Sequence, residues 1–434
     1  MRNEPMNRRT ILKGLAAAWL WPAVSPAQTK ETLESLKKAA AALGSDPAAA
    51  DERFWGQVKR QFPIREGLIM LNAANLTPTP QAVVDRQIGW LRDIDADASP
   101  ANRAKFEPLK EEARAALAEY VGADPDEIAI VRNTSEGNNF VINGVELGKG
   151  DEVVIWDQNH PTANVAFDVR AERFGFRVVR VKTPEAPEKP GDLIRPFAEA
   201  ITRRTKMIAF SQVSNVTGIR LPEKALCGAA GERGILSLVD GAQTFGTCPV
   251  DLHDMGCDFF TASSHKWFCG PKEVGLLYVR KERIAALHPT LVGLGWERAR
   301  TAGARKFETL GQRDDARIAA MLEAVRFHDI IGKNRVAERT LALAAAVNKE
   351  LKARIPSAQI ATPDGRDMSW GVVAFQVPRV DPAKAVAGLY REANVACAAV
   401  GSGFRFSPHI YNTMAEIETA VRAVAKLAVC TRRR

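Results

Sequence analysis

Seven short apolar runs constrain the fold of this chain more than any other feature: residues 129–132, 152–156, 177–181, 207–210, 235–239, 259–262 and 275–279. Most are apolar throughout instead of alternating with polar residues, the pattern of strands buried on both faces. Helical stretches such as 106–120 and 162–174 lie between them, and a strand–helix–strand connection returns the chain parallel to itself. The expected fold class is α/β, with a three-layer large domain over residues 65–295 built on a mostly parallel sheet.

With 434 residues the chain can form two or three domains, each with its own core. After Gly293-Leu-Gly295 the pattern changes to long helices at 316–332 and 335–355 and a later strand at 372–377. That predicts a smaller α+β domain over 296–434. Residues 28–64 read as an N-terminal helical segment: Leu33, Leu36, Ala40 and Leu43 share one face, and Phe54, Trp55 and Val58 another, across a Gly44-Ser-Asp-Pro47 turn.

Bulk properties exclude some functions. The formal net charge of +9 is modest for this length and part of it sits at Arg8-Arg9 and the terminal Arg432, Arg433 and Arg434. It reads as solvated surface, with no nucleic-acid partner expected. No Gly-x-Gly-x-x-Gly or phosphate-loop motif supports dinucleotide or nucleoside-triphosphate binding. Six cysteines, at 227, 248, 257, 269, 397 and 430, lack paired spacing, so neither a disulfide scaffold nor a metal site is expected.

Asn7-Arg-Arg-Thr-Ile-Leu-Lys13 resembles the twin-arginine export motif; the apolar stretch 14–24 and Ser25-Pro26-Ala27 before Gln28 complete a leader over residues 1–27. That stretch is too short to span a bilayer permanently. Export by the twin-arginine machinery to the periplasm is expected, because that route carries folded proteins and suits an enzyme loaded with its cofactor beforehand. A basic tail or an uncleaved anchor remains the alternative.

The chemistry lies where the predicted strands end. The run 235–239 delivers Asp240-Gly-Ala-Gln243, and the next delivers Ser263, His265 and Lys266. Those residue types suit pyridoxal phosphate: a lysine amine holds the aldehyde covalently, and a buried carboxylate keeps the pyridine nitrogen protonated by ion pairing. Lys266 and Asp240 fill these roles. Each alone has a plain reading, a loop lysine or a helix cap. Asn133-Thr134-Ser135 has the layout of a helix N-terminus, which is a phosphate seat or simply a cap.

Six blocks, Asn133-Thr-Ser-Glu-Gly-Asn138, Asn159-His160, Ser214-Asn-Val-Thr-Gly218, Asp240-Gly-Ala-Gln243, Ser263-Ser-His-Lys266 and Arg405-Phe-Ser-Pro-His-Ile-Tyr-Asn412, stand in the order of the class V aminotransferases. From about Leu71 onward the chain resembles that family of fold type I pyridoxal-phosphate enzymes, which includes cysteine desulfurases and isopenicillin N epimerase-like proteins. The resemblance implies that Thr134 and Ser135 bind the phosphate, with Ser263 and His265 as a second contact. It implies a His160 ring stacked over the cofactor, Gln243 at the ring hydroxyl and Asn215 along the same edge. Arg405 is the implied carboxylate anchor, whose planar guanidinium makes two parallel hydrogen bonds.

Two departures from the family pattern stand out. Gln312 replaces a threonine that in relatives reaches the neighbouring subunit's phosphate, so the expected homodimer keeps that contact through the glutamine amide. Desulfurases carry a nucleophilic cysteine on a mobile loop, whereas Cys397 lies in the apolar run 395–400 and reads as a core thiol in a strand. The implied activity is transamination or epimerisation at the α-carbon of an amino acid or amino-acid-containing compound. A cysteine desulfurase or β-lyase, and a non-catalytic binding protein of the same fold, are the alternatives.

Overall fold

The computed structural model describes residues 26–430. Its centre is a seven-stranded sheet of β1 (Ile128–Val131), β2 (Glu152–Trp156), β3 (Arg177–Val181), β4 (Thr205–Ser211), β5 (Leu236–Asp240), β6 (Phe259–Ser263) and β7 (Gly275–Val279). Their spatial order is β1-β7-β6-β5-β4-β2-β3. Strands β6, β5, β4, β2 and β3 are parallel neighbours. β7 alone runs against both of its neighbours. The reason is local: no helix lies between β6 and β7, and a parallel return needs a crossover of a dozen or more residues. A helix-free turn segment over residues 264–274 takes its place, and it carries Lys266.

Alternate strand residues feed two cores. Ile130, Val154, Phe210, Val239, Phe260 and Leu276 join one cluster, while Val131, Val153, Ala209, Leu238, Phe259 and Leu277 join the other. Helices thus cover both faces, as expected for fold type I. Each large apolar side chain so buried contributes about 1.5–3 kcal/mol. β3 departs from the expected burial on both faces. It is an edge strand, Arg-Val-Val-Arg-Val, with both arginines exposed, and Arg177 reaches Glu152 on β2 at 2.6 Å.

Beyond the sheet, the long helices Asp315–Ile331 and Lys333–Arg354 precede a four-stranded antiparallel sheet ordered Ala398–Val400, Gly403–Phe406, Val373–Gln376 and Gln359–Ile360. The run expected as one strand at 395–400 is split at Cys397. Val395–Ala396 pairs in parallel with Ile69–Met70, and Ala398–Val400 pairs with Gly403–Phe406. The helices Pro26–Ala42 and Glu52–Lys59 pack Leu36, Trp55 and Val58 against Cys269, Phe327 and Tyr411. Asp51 caps the second of them by accepting from the Arg53 and Phe54 N–H groups. Residues 1–25, which carry most of the expected leader, lie outside the described residues.

Candidate active site

Strand ends converge on one cavity of about 350 Å³, lined by Thr134 and Ser135 beyond β1, His160 beyond β2, Asn215 beyond β4, Asp240 and Gln243 at β5, and Ser263, His265 and Lys266 at β6, with Arg405 from Gly403–Phe406. This is the carboxyl edge of the parallel strands, where sheets of this class receive ligands. Gln312, expected at the neighbouring subunit's phosphate, lies outside its own chain's cavity. Its amide oxygen accepts from Arg103 and its nitrogen donates to the Arg313 carbonyl, beside Arg132 and Leu291.

Asp240 is buried at the end of β5, and its two oxygens are held separately. Asn138 Nδ2 donates to Oδ2 at 3.0 Å, and the Ala242 N–H donates to Oδ1 at 3.0 Å. Thr261 donates in turn to Asn138 Oδ1 at 2.6 Å, which fixes the orientation of that amide. The helix Thr134–Gly144 reaches this position because Gly137 lies directly on β6. A Cβ there would stand 2.9 Å from Thr261 Cγ2. Gly241 is equally constrained, since a Cβ would collide with the Phe260 ring.

Lys266 is half-buried and its amine makes no side-chain hydrogen bond among the described residues. Burial lowers its pKa below the ordinary lysine value; Asp240 opposes the shift and Arg405 adds to it. A neutral amine is therefore reached at lower pH than for a solvated lysine. His265 is pushed down to about 4 by burial and by Lys266 and Lys272, so it offers the cavity a neutral ring.

His160 caps the helix Pro161–Phe174 with its own ring. Nδ1 lies 2.7 Å from the Thr162 hydroxyl and accepts the Thr162 N–H at 3.3 Å. The neutral ring therefore carries its proton on Nε2. Burial, and then Lys266, lower its pKa.

At the other end, Ser263 Oγ lies 2.8 Å from the Thr134 N–H and 2.7 Å from its hydroxyl. Asn133 Oδ1 accepts from the Glu136 N–H at 2.9 Å, and first-turn N–H groups lack intrahelical acceptors. This is a seat for an anion. Gln243 donates to the Ala74 carbonyl at 3.0 Å and accepts from Trp267 Nε1 at 2.7 Å, leaving one amide hydrogen for a ligand.

Arg405 is anchored through both terminal nitrogens, 2.9 Å from the Asn215 carbonyl and 2.9 Å from Asn72 Oδ1. Its Nε is buried without a partner. Burial pushes its pKa down to about 10, which still leaves the group cationic at neutral pH. Asn215, expected along the cofactor edge, also holds Arg405 through its backbone.

Cys397 is buried among strands, and that burial pushes its thiol up to about 12. The chain turns through Gly401 and Ser402 between paired Val400 and Gly403, a two-residue hairpin with no room for a mobile loop. Among the described residues, no cysteine lines the cavity.

Sequence reasoning missed Asn138, Asn72, Thr162 and Trp267. Asn138 had a usable signal, lying four residues after Thr134 on the same helix. Asn72 had none, being 333 residues from Arg405.

The Aminotransferase class-V family description matches residues 69–424. The chain belongs to the class V aminotransferase family. Its similarity to the isopenicillin N epimerase of Streptomyces clavuligerus is 29% identity over 391 residues, covering 86% of this chain and 98% of that one. The probable cysteine desulfurase of Methanothermobacter thermautotrophicus is 26% identical over 400 residues, with 86% and 97% covered. In fold, the chain matches the C-DES structure with glycine covalently linked to its PLP cofactor, at a TM-score of 0.79 and 23% identity over 85% of this chain and 99% of that one.

The family's cofactor is pyridoxal phosphate, and the cavity fits it. A lysine amine without a hydrogen bond, a buried carboxylate fixed by two donors and an anion seat at a helix N-terminus face the same space. This class V enzyme is thus built for cofactor-dependent chemistry on an amine.

Proposed function

We propose that the enzyme acts at the α-carbon of an amino acid or amino-acid-containing compound, by epimerisation or transamination. One observation carries this reading: Lys266, Asp240, His160 and Arg405 share a single cavity that no cysteine among the described residues lines. A persulfide-forming desulfurase needs a thiol there, and Cys397 is buried between two short paired strands. The similarity to isopenicillin N epimerase over nearly that protein's whole length supports the same choice.

Pyridoxal phosphate, when bound, supplies an electron sink for a bond broken at the α-carbon. The remaining work falls to side chains. Thr134, Ser135, Ser263 and His265 hold the phosphate. Asp240 keeps the ring-nitrogen proton in place, and the free Gln243 hydrogen meets the ring hydroxyl. Arg405 grips the substrate carboxylate and so orients the α-hydrogen. Lys266, once its amine is released, takes that hydrogen as a proton. His160 would cover the ring face, with its Nε2–H as a hydrogen-bond donor there. Return of the proton to the α-carbon from the side opposite its removal would give epimerisation, and its delivery by Lys266 elsewhere would give transamination.

The same proposal includes a homodimer and export. Gln312 lies outside its own chain's cavity, beside exposed Leu291, where it is available to a second copy. The Arg8-Arg9 motif and the apolar stretch after it support delivery to the periplasm by the twin-arginine route.

Incubating the loaded enzyme with pooled amino acids in D₂O tests the chemistry. Deuterium should enter the α-position of at least one of them, with Lys266 required and Cys397→Ser neutral. Sulfide release from cysteine, lost in Cys397→Ser, would instead make the protein a desulfurase.

A further inference from the structure

The turn between β6 and β7 belongs to no helix or strand, so its carbonyls need donor partners from elsewhere. Four successive ones find them. The His265 carbonyl accepts from the Thr77 N–H at 2.9 Å and its hydroxyl at 3.1 Å; that of Lys266 accepts from the same hydroxyl at 2.5 Å and from the Cys269 N–H at 3.0 Å. For the next two the donors are imidazoles. His409 Nε2 stands 2.7 Å from the Trp267 carbonyl oxygen and His328 Nε2 stands 2.8 Å from that of Phe268.

Both rings are completely buried. His409 Nδ1 accepts the Ile410 N–H at 2.7 Å, so the neutral ring carries its proton on Nε2 and directs it at Trp267. His328 stacks on Phe268 at 4.3 Å, and Phe268 stacks on Phe245 at 4.3 Å. The Tyr120 hydroxyl approaches His328 Nδ1 at 3.4 Å. Burying two imidazoles in an otherwise apolar setting is costly unless each makes its bonds. Here their bonds are spent on consecutive peptide groups, directly after the lysine.

We propose that His409 and His328 are positioning residues for Lys266, an inference that rests on Lys266 holding the cofactor. Neither ring lines the cavity or meets the reacting atoms. Together they fix the Trp267–Phe268 and Phe268–Cys269 peptide planes, one step beyond the lysine's own carbonyl, and so help set the direction in which its side chain enters the cavity. The clamp comes from outside the seven-stranded sheet: Thr77 precedes it, His328 lies in Asp315–Ile331, and His409 follows Arg405 by four residues. Carboxylate anchor and lysine turn are thereby tied through one short segment.

The test uses the holoenzyme and two signals from bound pyridoxal phosphate: the ellipticity of its visible band, which reports a fixed orientation, and the rate at which hydroxylamine removes it. His409→Leu should lose more than half of the ellipticity and release the cofactor about tenfold faster. His409→Gln, whose amide nitrogen reaches nearly as far as Nε2, should keep both signals. His409→Asn, equally polar but too short, should behave as the leucine variant. Folded His409→Leu with wild-type signals, or a glutamine variant as impaired as the leucine one, overturns the proposal. If the leucine variant does not fold, the Asn and Gln variants decide it, equal behaviour counting against. His328→Leu and His328→Gln repeat the comparison at Phe268. Borohydride fixation of the cofactor to a different lysine in wild type would sink the underlying reading instead, which separates the two failures.

Discussion

Asn138 donates to Asp240 Oδ2 at 3.0 Å while accepting from Thr261 at 2.6 Å, so the acid beneath the cofactor cavity is aimed by an amide that is itself locked. The contact bridges the helix Thr134–Gly144 and β5, and Gly137 makes it sterically attainable. Replacing Asn138 by Leu removes one donor and leaves a buried carboxylate oxygen unpaired, which costs about 1–3 kcal/mol. The expected outcome is a roughly 10- to 100-fold lower kcat, with the cofactor still retained. Absorbance of the retained cofactor, read beside the rate of α-proton exchange, checks both halves. A variant with full exchange activity removes Asn138 from the site.

Lys266→Ala should abolish borohydride fixation of pyridoxal phosphate while leaving non-covalent binding through Asp240 and the anion seat. Mass spectrometry of the reduced, digested protein gives the answer. A labelled peptide other than the one holding Lys266 in the wild type ends the assignment.

Arg405→Lys keeps a charge but not the planar fork. Its two terminal nitrogens are already oriented by Asn215 and Asn72, and a lysine cannot satisfy both while gripping a carboxylate. The KM for whichever amino acid exchanges its α-proton should rise about 10- to 100-fold, with a smaller effect on kcat. Equal KM values for the two proteins would place the carboxylate elsewhere.

Much of this was legible in the sequence, for physical reasons. Doubly buried strands leave unbroken apolar runs, and β2 and β7 begin and end where those runs do. Asp240 and Lys266 stood out because they follow such runs directly. The reversal of β7 was hidden, because orientation depends on what a connection can span and not on the strand's own residues. The split at Cys397 was hidden too: each half pairs with a different partner, and a continuous apolar run carries no mark of that. Supporting residues such as Asn72 and His409 act across long stretches of chain, and their roles exist only once the cavity is folded.

The buried histidines also set a pH dependence. Burial pushes His328 down to about 4 and His409 down to about 3 in the folded protein, against about 6.5 when unfolded. Between those values the unfolded chain binds more protons than the folded one, so stability rises with pH across the window. The contribution is fully present above pH 6.5 and is lost as pH falls through the window. From pH 7 to pH 5 it amounts to about 2 kcal/mol per histidine. Glu111, held down to about 2 against burial by Arg114 and Arg305, stays ionised in the folded protein and adds only a small slope near pH 5, where its unfolded carboxyl begins to protonate. The urea midpoint should therefore fall between pH 7 and pH 5, and fall less in His328→Gln and His409→Gln. Parallel pH profiles for wild type and both variants would show that other groups govern the acid limb.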